Sequence, residues 1–197
     1  MNIKPDVLVI DPPYPRNRSE LLRRSDFRFA PRASAEKDMS SKQVIPYILV
    51  MVGRSVLAYR RAGTAGEKRL VAKRSIGWGG HIERIDAIGH DAPRLEDYIY
   101  NCSLREVDEE LGLGEPVDRI YLDVINDDTD PVGRVHLAYV EAWIYDEPSV
   151  AVVLESADVD TADTLFWVDL DDLRSTDGFE SWSSLAIGML EKEFDRR

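Results

Sequence analysis

The sequence predicts an α+β fold in which helices cover a mixed sheet. Strand-sized apolar runs, bounded by Gly, Pro and acidic turns, recur along the chain. Two longer segments, 93–111 and 181–194, space their apolar residues as helices do. The longest apolar stretch, IPYILVMV at 45–52, is of strand length and falls well short of the roughly 18–20 residues a membrane span needs.

In chain order, Val7–Ile10 is a strand, followed by DPPYP, whose prolines forbid helix, and a mixed polar stretch. Residues 1–42 thus read as a strand and arm packed on a main domain at 43–197. QVIPYILVMV at 43–52 is a buried strand, Gly53-Arg54-Ser55 a turn, and 56–60 the return strand of a hairpin. A polar loop at 61–68 leads to a strand over 69–76 and then to a glycine-rich loop, GWGGHIE, at 77–83. Asp91-Ala92-Pro93 starts a helix with an acidic cap and a first-turn proline, and Gly112 stops it from the C′ position. Strands at 119–125 and 134–144 flank the turn NDDTDP; LFWVDL at 165–170 is another strand, and 181–194 is the closing amphipathic helix.

The 197 residues are 44% hydrophobic and 31% charged, values that suit a globular chain with a substantial core and exclude a collagen-like or disordered one. The net charge of −12 is unevenly spread: residues 1–100 hold 18 basic and 12 acidic residues, residues 101–197 hold 7 and 25. Without a dominant basic surface, nucleic acid is not an expected partner. A membrane is not expected either. An acidic half beside a basic half suits a ligand that pairs a metal with an anion. The single Cys102 excludes an internal disulfide framework and a cysteine-based zinc cluster, and the N-terminus lacks signal-peptide character, which together point to a reducing, cytoplasmic location.

The chemistry concentrates at REVDEELG, 105–112. Glu106, Glu109 and Glu110 stand at i, i+3 and i+4 on one helical face. Like charges at this spacing cost a helix a few tenths of a kcal/mol per pair, and the last turn, where the macrodipole is negative, prefers cations. A bound Mg²⁺ or Mn²⁺, which takes carboxylate and water oxygens, reverses both effects; a solvated acidic face is the bland alternative. Upstream, Gly79 and Gly80 permit positive φ or close approach of backbone to a ligand. Of the basic residues Arg60, Arg61, Lys68, Arg69, Lys73 and Arg74, one or two could contact substrate phosphates, with Arg61 and Arg74 the chosen candidates. Tyr47, Trp78 and Trp143 are candidates to stack on a base or, more ordinarily, to fill the core. His136 reads as a core or pocket histidine, and His81 lies beside the glycines.

REVDEELGL at 105–113 resembles the second half of the Nudix box, G-x5-E-x7-R-E-U-x-E-E-x-G-U with U aliphatic, at every fixed position: Arg105, Glu106, Val107, Glu109, Glu110, Gly112 and Leu113. GGHIERID at 79–86 is similar to the first half, with Gly80 as the glycine and Asp86 where the family has Glu. Eighteen residues separate Asp86 from Arg105 where the family has seven, which implies an enlarged loop before the helix and leaves Glu83, Asp91, Glu96 and Asp97 as alternatives to Asp86. QVIPYILV, SIGWGGHI, INDDTDPVGRVH, FWVDLDDL and FESWSSL extend the resemblance over about 43–190, toward a MutT-like subgroup of phosphoesterases.

The resemblance implies a Nudix α/β/α sandwich with a catalytic loop–helix–loop. It implies hydrolysis of a phosphoanhydride bond in a nucleoside diphosphate linked to another moiety, assisted by Mg²⁺ or Mn²⁺. Glu106, Glu109 and Glu110, with Asp86, would be the metal ligands, Arg105 an orienting residue, and Gly79 and Gly80 part of the substrate site. A further carboxylate would come from a late loop, with Glu155, Asp158, Asp160 and Asp163 as candidates. The partner would be a small nucleotide-type molecule, and a homodimer could use the 1–42 arm. A non-catalytic nucleotide-binding or regulatory module on the same fold is the competing reading.

Overall fold

A computed structural model describes residues 5–60, 73–89, 93–129, 131–146 and 165–196. Its elements fall into two compact units, Met1–Tyr47 with Gly79–Arg105 and Asp123–Val140, and Ile48–Trp78 with Glu106–Leu122 and Glu141–Arg197.

In the first unit, β1 (Asp6–Ile10) pairs antiparallel with β2 (Arg28–Pro31), Asp6 opposite Pro31 and Val9 opposite Arg28. It also pairs antiparallel with the start of β3 (Lys42–Val52), Val9 opposite Gln43. The unbroken apolar run of β1 follows from burial on both faces. Leu8 and Ile10 join a core with Leu21, Val44, Ile82, Leu95, Tyr98, Ile99, Cys102, Leu137 and Tyr139, whereas Val7 and Val9 pack with Ala35. Two short helices follow DPPYP and its neighbours: α1 (Arg18–Leu22), capped by the Asn17 side chain, and α2 (Arg32–Ala35). Neither has enough turns to declare itself by periodicity, and the arm at 1–42 supplies core strands as well as irregular chain. Lys42, at the head of β3, is 1% exposed. Its ammonium donates to Asn126 Oδ1, Asp128 Oδ1 and the Gly133 carbonyl within 2.5–2.7 Å, so burial of the charge is matched by three acceptors.

In the second unit β3 turns at Gly53, whose φ is +57°, into β4 (Ser55–Arg60). β4 pairs antiparallel with β5 (Arg74–Ser75), and β6 (Gly77–Trp78) pairs with β3, Ile48 opposite Trp78. The helix α3 (Leu95–Leu111) and the strands β7 (Asp118–Ile125) and β8 (His136–Ile144) run through both units. β8 lies parallel to β3: the Gln43 N–H donates to the Val135 carbonyl, and the Tyr145 N–H to the Met51 carbonyl. The sheet is therefore mixed. β9 (Leu165–Asp169) pairs with β4 over five registered positions.

The closing helix α4 (Ser181–Phe194) spans the expected residues. The Glu180 carboxylate caps it, accepting from the Trp182 and Ser183 N–H groups. Trp182, Ala186, Ile187 and Leu190 are its buried face, and the Ser183 hydroxyl accepts from the Ile76 N–H at 3.1 Å. Of the strand expected at 69–76, residues 74–75 are in β5 and 69–72 lie outside the described residues.

Candidate active site

Helix α3 carries the acidic motif at its end. Gly112 closes the helix at φ +64° with its N–H on the Asp108 carbonyl at 2.8 Å, the left-handed C′ arrangement expected of that glycine. In the second unit, Glu106 and Glu110 are half-buried and Glu109 is exposed; Val107 and Leu111 on the opposite side are fully buried. No basic residue occupies the last turn. The three carboxylates thus stand on one face at the helix end, with α3 anchored by its apolar positions and the acids directed away from them.

In the first unit, the segment Gly79–Asp86 is held at successive points. Gly79 has φ +148°, and a Cβ built there would lie 2.1 Å from the Pro46 carbonyl oxygen, so the backbone passes where only glycine fits. The Ile82 carbonyl accepts from the Leu8 N–H at 2.9 Å, and Glu83 forms a β-bridge with Val7. A 3-10 turn follows at Arg84–Ala87, where the Asp86 and Glu83 side chains each cap the other's backbone. The N-terminal strand therefore braces the glycine loop directly, a role that the run VLVI did not announce.

Asp86 is 3% exposed, and the Arg105 guanidinium takes its carboxylate in a two-pronged pair, Nε to Oδ1 at 2.9 Å and Nη2 to Oδ2 at 3.1 Å. The Glu83 N–H donates to Oδ2 at 2.7 Å. Arg105 also donates to the His81 carbonyl at 3.1 Å. One turn earlier on the same helical face, the Asn101 amide donates to the carbonyls of Asp86 and Ile88 at 2.8 and 3.1 Å. Helix α3 thus fastens the loop through Asn101 and Arg105. Sequence reasoning passed over Asn101; a mid-helix asparagine, poor in propensity, was its one available signal. The 18 residues between Asp86 and Arg105 enlarge more than a loop, because α3 already begins at Leu95. The Asp97 carboxylate accepts from the Arg94 N–H at 2.7 Å at that start, while Asp91 lies outside the described residues.

Arg74, a candidate phosphate contact, donates to the Asp177 carbonyl and lies over the Phe166 ring at 5.7 Å, both within the second unit. Arg61 lies outside the described residues, as do Lys68, Arg69 and the late-loop candidates Glu155, Asp158, Asp160 and Asp163. Tyr47, Trp78 and Trp143 are 5%, 1% and 0% exposed and fill the core. His136 is buried with its Nδ1 2.8 Å from the Val132 carbonyl, and burial lowers its pKa from the ordinary 6.5. Beside it lie His81 and Glu36.

The architecture is that of the Nudix fold. Tm1382, a candidate Nudix hydrolase of known crystal structure, superposes with a TM-score of 0.69 at 24% identity over 94% of this chain and 97% of its own. The NUDIX domain of Shewanella oneidensis NrtR, complexed with ADP ribose, gives 0.57 at 13% identity over 78% and 88%. A bifunctional NMN adenylyltransferase/ADP ribose pyrophosphatase from Francisella tularensis, complexed with AMP and a manganese ion, gives 0.52 at 19% identity over 77% of this chain and 42% of that one. No protein-family profile matches the chain. Among curated proteins, YmaB of Bacillus subtilis is 31% identical over 170 residues, 84% of this chain and 79% of YmaB, and the chain belongs to the YmaB family.

Proposed function

We propose that the chain is a metal-dependent hydrolase that cleaves a phosphoanhydride bond in a nucleoside diphosphate linked to another moiety. The observation that carries this reading is the end of α3: Glu106, Glu109 and Glu110 share a face there, where the dipole is already negative and the last turn holds no basic residue. Oxygen donors of this kind fit Mg²⁺ or Mn²⁺, so Glu106, Glu109 and Glu110 would hold the ion. When bound, it would neutralise phosphoryl oxygens and lower the pKa of the attacking water.

The protein's own contribution follows from its rigid parts. Asp86, whose carboxylate is occupied by Arg105 and the Glu83 N–H, acts in this reading as a positioning residue rather than a metal ligand. Arg105, Asn101 and Gly79 hold the Gly79–Asp86 loop in one shape. One of the α3 carboxylates, half-buried Glu106 or Glu110 or exposed Glu109, would accept the proton of the attacking water. The fold-level likeness to domains complexed with ADP ribose and with AMP and manganese favours a nucleotide-type substrate. A cytoplasmic location accords with the lone, buried Cys102, and no helix among the described residues is long and apolar enough to cross a membrane.

Incubation with nucleoside di- and triphosphates, dinucleotide polyphosphates, ADP-ribose and sugar nucleotides, with Mg²⁺ or Mn²⁺, tests the reading. At least one should be hydrolysed at an anhydride bond, with loss of turnover on chelation. Glu109→Gln and Glu110→Gln should each lower turnover by about two orders of magnitude or more, since an acidic ligand contributes several kcal/mol through the metal, while the circular dichroism spectrum is unchanged. Tight binding of one member without turnover would instead make the chain a nucleotide-binding module.

A further inference from the structure

We propose that Glu36, His81 and His136 form a second metal site, separate in its ligands from the acids of α3 and suited to a zinc-type dication. All three belong to the first unit: Glu36 follows α2, His81 follows the two glycines, and His136 opens β8. One potential ligand atom from each lies within 4.8 Å of the others. His81 Nε2 and Glu36 Oε1 are 3.7 Å apart, and the two imidazole rings meet edge to face at 5.5 Å. Bonds of about 2.1 Å from one ion to two atoms 3.7 Å apart enclose an angle of roughly 120°, inside the range of a tetrahedral or trigonal centre. Contraction of the set to about 3.4 Å on each side gives the tetrahedral value; Glu36, whose side chain is 35% exposed, has the freedom to shorten its own two sides, and the imidazoles would close the third.

The His136 ring is already oriented. The short His136 Nδ1 contact with the Val132 carbonyl requires the proton on Nδ1, which leaves Nε2 with its lone pair; a backbone acceptor on the far nitrogen is the usual support of a metal-binding imidazole. The same tautomer lets the Gln43 amide donate to Nε2 at 3.1 Å, a contact that ligation would displace. Gln43 is 1% exposed, and its Oε1 has no hydrogen-bond partner among the described residues. A metal-bound water is a donor of the kind that this oxygen lacks. His81 is set by its backbone, whose carbonyl is held by Arg105.

Around the set, Arg32 Nε donates to the same Glu36 oxygen at 3.2 Å, and Lys42 adds a second positive charge near His136. Arg32 holds Glu36 while no ion is present, and the second carboxylate oxygen allows Glu36 to keep Arg32 while ligating. Two imidazoles and one carboxylate select Zn²⁺, Co²⁺ or Ni²⁺ over Mg²⁺, which keeps to oxygen.

The test is a Zn²⁺ titration of the chelator-stripped, full-length protein in millimolar Mg²⁺, with X-ray absorption at the zinc edge on the 1:1 complex. We expect one Zn²⁺ per chain with two imidazole ligands, the same uptake in Glu109→Gln, and affinity reduced at least tenfold in Glu36→Gln and at least a hundredfold in His81→Ala. Glu36→Gln, on a half-exposed side chain, and the spectrum of the unaltered protein keep the test sound if a histidine variant misfolds. Absence of stoichiometric uptake, a zinc spectrum without imidazole, or uptake that survives Glu36→Gln and His81→Ala but is lost in Glu109→Gln would overturn the proposal. Nucleotide hydrolysis plays no part in the readout, so failure here leaves the α3 assignment standing, and the reverse also holds.

Discussion

Each unit of the molecule buries a carboxylate and gives it to an arginine, and the two pairs differ in what the arginine does next. In the first, Asp86 is held by Arg105, and Arg105 continues to the His81 carbonyl, so that the pair fixes an irregular loop on a helix. In the second, Glu141 on β8, 0% exposed, receives the Arg119 side chain from β7 at 2.9 and 3.0 Å and the Trp143 indole N–H at 2.7 Å. Arg119 also lies over the Tyr121 and Trp143 rings at 5.0 and 5.7 Å. These links join it to neighbouring strand positions. The same chemistry therefore braces a loop next to the glycines in one unit and joins two regular strands in the other. The first should couple to function and the second to stability alone.

The largest expected effect on stability lies in the braced loop. Gly79→Ala would force a Cβ onto the Pro46 carbonyl, and unfolding measured in urea should lose more than about 4 kcal/mol, or the protein should fail to fold. Next comes the strand pair. Glu141→Ala leaves a guanidinium partly buried and should cost about 3 kcal/mol, yet the folded fraction should keep the unaltered kcat. Asp86→Asn should cost about 2 kcal/mol by the same measurement and should also lower kcat ten- to a hundredfold, because the loop loses its fixed shape. If Glu141→Ala harmed kcat as strongly as Asp86→Asn, the division of roles would be wrong.

Double substitution sharpens it further. Arg119→Met with Glu141→Leu should recover most of the stability lost by Glu141→Ala, since an apolar pair can replace a buried ion pair. Arg105→Met with Asp86→Leu should recover stability without recovering turnover. Asn101→Ala removes two hydrogen bonds from the loop and should cost about 1 kcal/mol, with a severalfold drop in kcat. The smallest effect concerns acid. Burial lowers the His136 pKa, so the folded protein favours neutral imidazole. That contribution is fully present above the ordinary value of 6.5 and falls away as pH drops through the lowered value. In chelator, the stability lost on acidification should be smaller in His136→Gln.

Much of this was readable beforehand because its causes are local. The closing helix begins and ends where its apolar spacing and its cap dictate, α3 stops at Gly112, and the hairpin turns at Gly53. The resemblance to the box, carried by residue identities as well as spacing, implies Arg105 and the three acids as proposed site residues. What escaped depends on contacts between distant residues. The two short helices of the arm lack periodicity, and the bracing of Ile82 and Glu83 by β1 pairs residues more than 70 positions apart. Asp86 stands out by its place in the motif, but its pairing with Arg105 depends on the loop folding back on α3. Glu141 sits in an apolar strand with no sign of Arg119, and Glu36 lies 45 residues from His81.

In the proposed function, the acids at the end of α3 bind magnesium-like ions for anhydride hydrolysis. A calorimetric titration of Mn²⁺ into the protein and into Glu109→Gln with Glu110→Gln, beside turnover of the best panel substrate, tests it most directly. Saturable Mn²⁺ uptake and turnover are expected in the unaltered chain, and both should be lost in the double variant. Equal uptake and equal turnover in the two proteins would contradict it.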